Sequence, residues 1–152
     1  MKIKVAGMPN LYLENQLCFS LYSATHALLR SYKPDLDKLN LTYPQYLVLV
    51  SLWQFKQLSI KEIAEKLLLE PATITPVVKR LEAKKLTKRT RQKNDERVVI
   101  VSLTEEGQNL RSKLSDVQKR VACDTGLSGT AFETLNKNLS DLTKSVSTKI
   151  AD

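Results

Sequence analysis

The stretch Leu58–Leu103, LSIKEIAEKLLLEPATITPVVKRLEAKKLTKRTRQKNDERVVIVSL, decides the fold, because its punctuation divides it into two short helices and a pair of strands. Ser59 to Glu62, S-I-K-E, is a capping box: a hydroxyl and a carboxylate three residues apart can satisfy two orphan amides at a helix start. Leu58 and Ile63 are spaced as the accompanying hydrophobic staple. Pro71 is tolerated at a helix start and not inside one, so a fresh helix is expected from Pro71 or Ala72 to about Lys85. Its apolar positions Ile74, Val77, Val78 and Leu81 share a face, leaving Thr73, Thr75, Lys79 and Arg80 largely on others. Pro76 reads as part of the first turns, where a missing amide costs little. LTKRTRQ and RVVIVSL then read as strands, with KNDE as the polar turn between them.

Upstream, Leu13, Leu17, Leu21, Ala24 and Leu28 recur at helical spacing, and Pro34 is expected to end a first helix of about twenty residues. Thr42 to Gln45, T-Y-P-Q, is a second capping box opening a helix through YLVLVSLW. Downstream, Thr104 with Glu105 and Glu106 starts a fifth helix that reaches roughly Ala122. DTGLSG is loop, and Thr130 to Glu133, T-A-F-E, is a third capping box before a final amphipathic helix. Helices three and four followed by a hairpin are the order of a winged helix-turn-helix. The expected fold is mainly α with a small β-hairpin, one domain over residues 1–152. Residues 42–103 would form the winged helix-turn-helix, and residues 10–35 and 104–150 N- and C-terminal dimerisation helices.

A chain of 152 residues with 42% hydrophobic content can build one real core. The net charge is +8, and between Lys79 and Lys93 eight basic residues face Glu82 alone, which concentrates +7 in fifteen residues. Such a field favours a polyanion, although a solvated basic face is the alternative. In a winged helix-turn-helix the second helix presents its first residues to the major groove, which here offers Thr73, Thr75, Pro76, Lys79 and Arg80 to double-stranded DNA. Lys88, Arg89 and Arg91 extend that surface along the hairpin. Arg97 at its tip suits the narrow minor groove, with Asp95 as a partner to hold the guanidinium. A merely polar turn is the alternative for D-E-R.

MKIKVAGMPN carries too short an apolar run for a signal peptide, and no stretch is long enough to span a bilayer, so a cytoplasmic protein without membrane contact is expected. Cys18 and Cys123 should then start as free thiols. His26 stands without a ligand cluster and no phosphate-cradling glycine loop occurs, so no metal, cofactor or catalytic site is expected. Trp53 and Phe55 read as core.

The run from Leu86 through Leu103 into LTEEG, with D-E-R at the wing, resembles the MarR family of bacterial regulators. ENQLCFSLYSATHALLRSYKPDLDKLNLTYPQYLVLVSLW and TITPVVKRLE are similar to its organic-hydroperoxide-sensing branch, two-cysteine type, over most of Leu13 to Leu110. The last forty residues match only in helical pattern and in the placing of Cys123. The resemblance implies a homodimeric transcription repressor, not an enzyme. The reduced dimer would bind a pseudo-palindromic operator and leave it when an organic hydroperoxide oxidises Cys18, with Cys123 of the other subunit as resolving thiol. It also implies that Tyr32 and Tyr43 hydrogen-bond the Cys18 sulfur from the partner subunit, with Tyr22 close by. Cys18 and Tyr32 are fourteen residues apart, so one straight helix would hold them about 21 Å from each other. Two antiparallel copies about a two-fold axis would bring them together. A repressor released by a small aromatic ligand, with Cys18 only packed, and a thiol peroxidase are the other readings. Glu70, Pro71 and Ala72 depart from the Asp/Ser and Gly expected before TITP, and CDTGLSG matches no pattern of the branch.

Overall fold

The computed structural model describes residues 12–92 and 95–151, apart from the side chains of residues 96, 97 and 149–151. A single 3-10 turn (Leu13–Asn15) leads into α1 (Leu17–Lys38), α2 (Tyr43–Phe55), β1 (Gln57–Ser59), α3 (Ile60–Leu67), α4 (Pro71–Ala83), β2 (Thr87–Gln92), β3 (Asp95–Leu103), α5 (Glu105–Asp124) and α6 (Gly129–Ala151). The architecture is a winged helix, mainly helical with a small antiparallel sheet in the order β1-β3-β2. Two compact units divide the chain, one through Val117 and the other from Gln118.

Local chemistry opens the helices. Ser59 Oγ accepts from the Glu62 amide at 3.2 Å while Glu62 accepts from the Ser59 amide at 2.7 Å, and the Thr42 amide donates to Gln45 Oε1 at 3.0 Å. Thr104 Oγ1 accepts from the Gly107 amide at 3.1 Å and donates to the Lys85 carbonyl at 2.5 Å, so one hydroxyl caps α5 and fastens it to the end of the α4 turn. The core of the first unit gathers Leu49 and Leu52 of α2, Ile63 of α3, Ile74 and Leu81 of α4 and Val101 of β3, all fully buried. Each such side chain contributes on the order of 2 kcal/mol.

Several expectations are corrected. The hairpin is a three-stranded sheet, because β1 pairs with β3 and sets Leu58 opposite Val101. Pro34 lies inside α1 rather than ending it. An interior proline costs about 3 kcal/mol, and burial of Leu36 two residues later returns about 2. The Lys33–Asp37 and Lys38–Asp35 pairs add to that last turn, which Asn40 closes at φ 53°. Pro76 is the sixth residue of α4, beyond its first turn, and deprives the carbonyl four residues back of a helical amide. The burial of Ile74, Val78 and Leu81 around it holds the helix together. Asp95 and Glu96 belong to β3 and not to the turn, with an irregularity where Arg91 pairs with Val99 but Gln92 with Asp95. The final helix begins at Gly129, and Ser128 rather than Thr130 caps it, accepting from the Ala131 amide at 3.3 Å. Phe55 is exposed, with the Lys66 ammonium 3.8 Å over its ring, whereas Trp53 is half-buried and donates to the Gly107 carbonyl at 3.2 Å. Among the described residues no helix is long and apolar enough to cross a membrane.

Candidate nucleic-acid interface and thiol site

The pairing of α3 with α4 follows from their buried faces. Ile63 and Ala64 meet the core from α3, and Ile74, Val78 and Leu81 from α4, so the remaining face of α4 turns to solvent. Thr73, Pro76, Lys79 and Arg80 are exposed on it. Thr75 is half-buried, and its hydroxyl donates to the Pro71 carbonyl at 2.9 Å, which leaves its oxygen only as an acceptor. Lys88, Arg91 and Asp95 are exposed on the wing. The side chain of Arg97, and with it the expected Asp95–Arg97 pair, lies outside the described residues.

The basic run is not one uniform patch. Arg89 stands opposite Val101, which places it on the sheet face that meets the helices. There its guanidinium takes the Glu82 carboxylate at 2.5 and 2.7 Å, and its amide donates to the same group at 3.2 Å. Lys84 turns inward too, donating to Gln45 Oε1 at 3.2 Å and to the Asn40 carbonyl. Glu82–Arg89 therefore ties the wing to α4, and Lys84 ties the end of α4 to the joint between α1 and α2. These two contacts were not legible, because their partners lie 7, 39 and 44 residues away in sequence.

Hydrogen bonding to Arg89 holds the Glu82 carboxyl below the usual carboxylate range. A carboxylate with a lowered native value stabilises the fold above its unfolded value, and that stabilisation is lost as pH falls through the native one. Glu82→Gln is therefore expected to lower stability at neutral pH by under about 1 kcal/mol, the scale of a partly exposed pair. Urea unfolding of variant and wild type should converge as pH drops from about 5 to about 3.

Cys18 is the second residue of α1 and Cys123 lies near the end of α5; both are exposed free thiols. Tyr32 from late α1 meets Tyr43 and Tyr46 from the first turn of α2, with ring centroids 5.3 Å (Tyr32–Tyr43), 5.4 Å (Tyr32–Tyr46) and 5.8 Å (Tyr43–Tyr46) apart. Tyr46 is buried, while Tyr32 and Tyr43 are half-buried and reach the surface. Tyr22 does not join them; it is exposed and packs on His26 at 4.3 Å. Of the three tyrosines singled out in the sequence, two are brought together, and Tyr46 joins them as a third phenol. Its i, i+3 spacing from Tyr43 was the available signal. Burial pushes the Tyr43 and Tyr46 phenols up, with the neighbouring Tyr32 adding to both, so each keeps its proton as a donor. Along α1, Leu17, Phe19 and Tyr22 in its first half and Leu28 just beyond the middle are exposed. Among the described residues no cluster of three or more His, Cys, Asp or Glu could hold a metal.

Residues 30–114 match the family described as transcriptional regulator SarA/Rot. The organic hydroperoxide resistance transcriptional regulator of Bacillus subtilis (strain 168) is 50% identical over 105 residues, which cover 69% of this chain and 71% of that one. AbfR of Staphylococcus epidermidis is similar in structure. In its reduced form bound to DNA it matches with TM-score 0.76 and 32% identity, covering 91% of this chain and 94% of that one. Its disulfide form matches with TM-score 0.64 and 31% identity, covering 92% and 93%. The solvent-facing α4, the wing beside it and these likenesses agree: the chain belongs to the SarA/Rot family of transcriptional regulators, winged-helix DNA-binding proteins of MarR-like fold and not enzymes.

Proposed function

We propose that this chain is a cytoplasmic, homodimeric repressor whose reduced form binds a pseudo-palindromic operator through α4 and the wing and is released when an organic hydroperoxide oxidises Cys18. The observation that carries the reading is an exposed thiol at one end of α1 and a phenol cluster at the other, on a chain half identical to an organic hydroperoxide regulator over the matched span. An isolated helix is marginal in water, and the exposed apolar side chains on the first half of α1 need a partner surface. Antiparallel pairing of two α1 helices would supply it and bring Tyr32 and Tyr43 of one subunit to Cys18 of the other. The whole chain then acts as one MarR-type domain, with the first and last helices as its dimer frame.

The chemistry balances simply. The thiolate attacks the terminal peroxide oxygen, an S–O bond forms as the O–O bond breaks, and the organic fragment leaves as an alcohol after taking a proton. The resulting sulfenic acid is captured by the Cys123 thiol of the other subunit, forming S–S and releasing water. AbfR, with its reduced DNA-bound and disulfide forms, supports a cycle of this kind. Closing that bond within ordinary disulfide reach would move the helices that carry α4, and the two copies of α4 must keep the spacing of the groove.

The test is operator binding by wild type and Cys18→Ser, with and without cumene hydroperoxide. Wild type should release the operator and give an interchain disulfide on a non-reducing gel, while Cys18→Ser stays bound. Release of Cys18→Ser by peroxide would overturn the reading, and release by a small aromatic ligand alone would favour a ligand-responsive repressor.

A further inference from the structure

We propose that Glu82 is a positioning residue for DNA recognition: on the reading that α4 and the wing both meet the duplex, its clasp on Arg89 fixes the angle between them and so helps to set which sequences are bound. Glu82 is the last residue but one of α4, two residues beyond the exposed Arg80. Arg89 Nε at 2.7 Å and Nη2 at 2.5 Å both close on Glu82 Oε2, and the Arg89 amide donates to Oε1 at 3.2 Å. Both carboxylate oxygens are used and one of their partners is backbone, so the contact orients the strand itself and not only a flexible side chain. β2 is an edge strand of the sheet, and the carboxylate supplies an acceptor where no further strand lies.

The clasp sits where the sheet narrows. β1 backs β3 only at Ile100, Val101 and Ser102, so Arg89, opposite Val101, belongs to the three-stranded part. Beyond Thr90, Arg91 and Gln92 pair with β3 alone, and a two-stranded ribbon is marginal by itself. Gln92 is three residues past Arg89, about 10 Å at roughly 3.3 Å per strand residue, so a turn of about 10° at the clasp carries it about 2 Å, enough to break hydrogen-bond geometry. Two elements held in register bind as one bivalent unit, and loosening one of them adds an ordering step to binding. Charge acts in the opposite sense. Glu82 is a negative group beside a basic surface, so the field alone predicts that its removal tightens binding to any duplex.

The experiment compares Glu82→Ala, and the double variant Glu82→Ala with Arg89→Gln, against wild type in the full-length protein at neutral pH. Loss of a partly exposed pair is too small to unfold either variant. The probes are a duplex that the wild type selects from a random pool and a mixed-sequence duplex of equal length. Glu82→Ala should bind the selected duplex about three- to tenfold more weakly, and the mixed one no more weakly than wild type does. The double variant carries the wild-type net charge and should lose a similar factor on the selected duplex alone. At saturation, hydroxyl-radical protection of the minor groove under the wing should fade in both variants. Protection of guanine N7 from dimethyl sulfate under α4 should stay, a split that general loosening of the fold would not give. Selected-duplex binding by Glu82→Ala at or above wild-type strength, equal losses on both duplexes, or undiminished minor-groove protection would each overturn the positioning role. Absence of that protection in wild type would instead overturn the reading of the wing as a DNA contact, and the role of Glu82 with it.

Discussion

Gly107→Ala is expected to destabilise the first unit by about 3 kcal/mol or more, a reversal of what the same change does in an ordinary exposed helix. Gly107 is the third residue of α5, where alanine would normally gain up to about 1 kcal/mol through lower backbone entropy. Here an added Cβ would stand 2.0 Å from the Leu86 carbonyl oxygen, 3.0 Å from its carbon and 3.1 Å from Leu103 Cδ2. The obstacle is backbone and cannot rotate away. The Leu86 carbonyl also accepts the Thr104 amide at 3.1 Å, and Leu86 itself is buried. Gly107 is further held by the Thr104 cap on its amide and by the Trp53 indole on its carbonyl. Moving it would disturb the start of α5, the end of β3 and the α2 core contact together. Thermal unfolding should fall by roughly 10 °C for a chain of this size. Gly129→Ala is the matched control, since a Cβ there meets nothing within 4 Å, and it should leave the midpoint unchanged or slightly raised. An unchanged midpoint in Gly107→Ala would contradict the close approach of α5 to the β2 entry.

The elements that could be read from sequence are those whose signal is local. The boxes at Thr42 and Ser59 involve residues three apart, so their hydrogen bonds were legible before any tertiary contact. The outward face of α4 was legible for the same reason, being the complement of a periodic apolar stripe. What escaped reading depends on distant partners. The three residues of β1 are too few for a period and are made a strand by Val101, far along the chain. Pro34 and Pro76 obey a local rule that burial of Leu36, Ile74 and Val78 overrides. Ser128 was passed over because Ser-Gly reads as loop, although the hydroxyl before Gly129 is an adequate cap. At the interface, the count of basic residues was right, yet Arg89 and Lys84 face other parts of the protein, a fact fixed by Glu82, Asn40 and Gln45. Tyr46 looked like one more apolar residue of α2, and only the end of α1 laid against it makes it part of a phenol cluster.

Removing Lys79 and Arg80 together should weaken operator binding far more than their effect on the fold. Both are exposed on α4, so their replacement by alanine is expected to change stability by no more than about 0.5 kcal/mol. On DNA the balance is different, because each phosphate neutralised by a cation releases bound counterions and contributes about 0.9 to the slope of log affinity against log salt. If both side chains meet phosphates, the double variant should lose about 1.8 from that slope, which is roughly 60-fold in affinity at about 0.1 M salt. Should one of them donate to a guanine edge instead, the slope would fall by only about 0.9 while discrimination against a mutated operator dropped as well. Lys84→Met separates field from contact. It removes the same unit charge from the same end of α4, but its ammonium donates to Asn40 and Gln45, so the salt slope should stay near that of wild type. Operator titrations of the three proteins across a salt series decide the matter. Equal slopes for wild type and the double variant would mean that the solvent face of α4 is not what meets the nucleic acid, whereas equal losses in the double variant and in Lys84→Met would reduce the interface to a diffuse positive field.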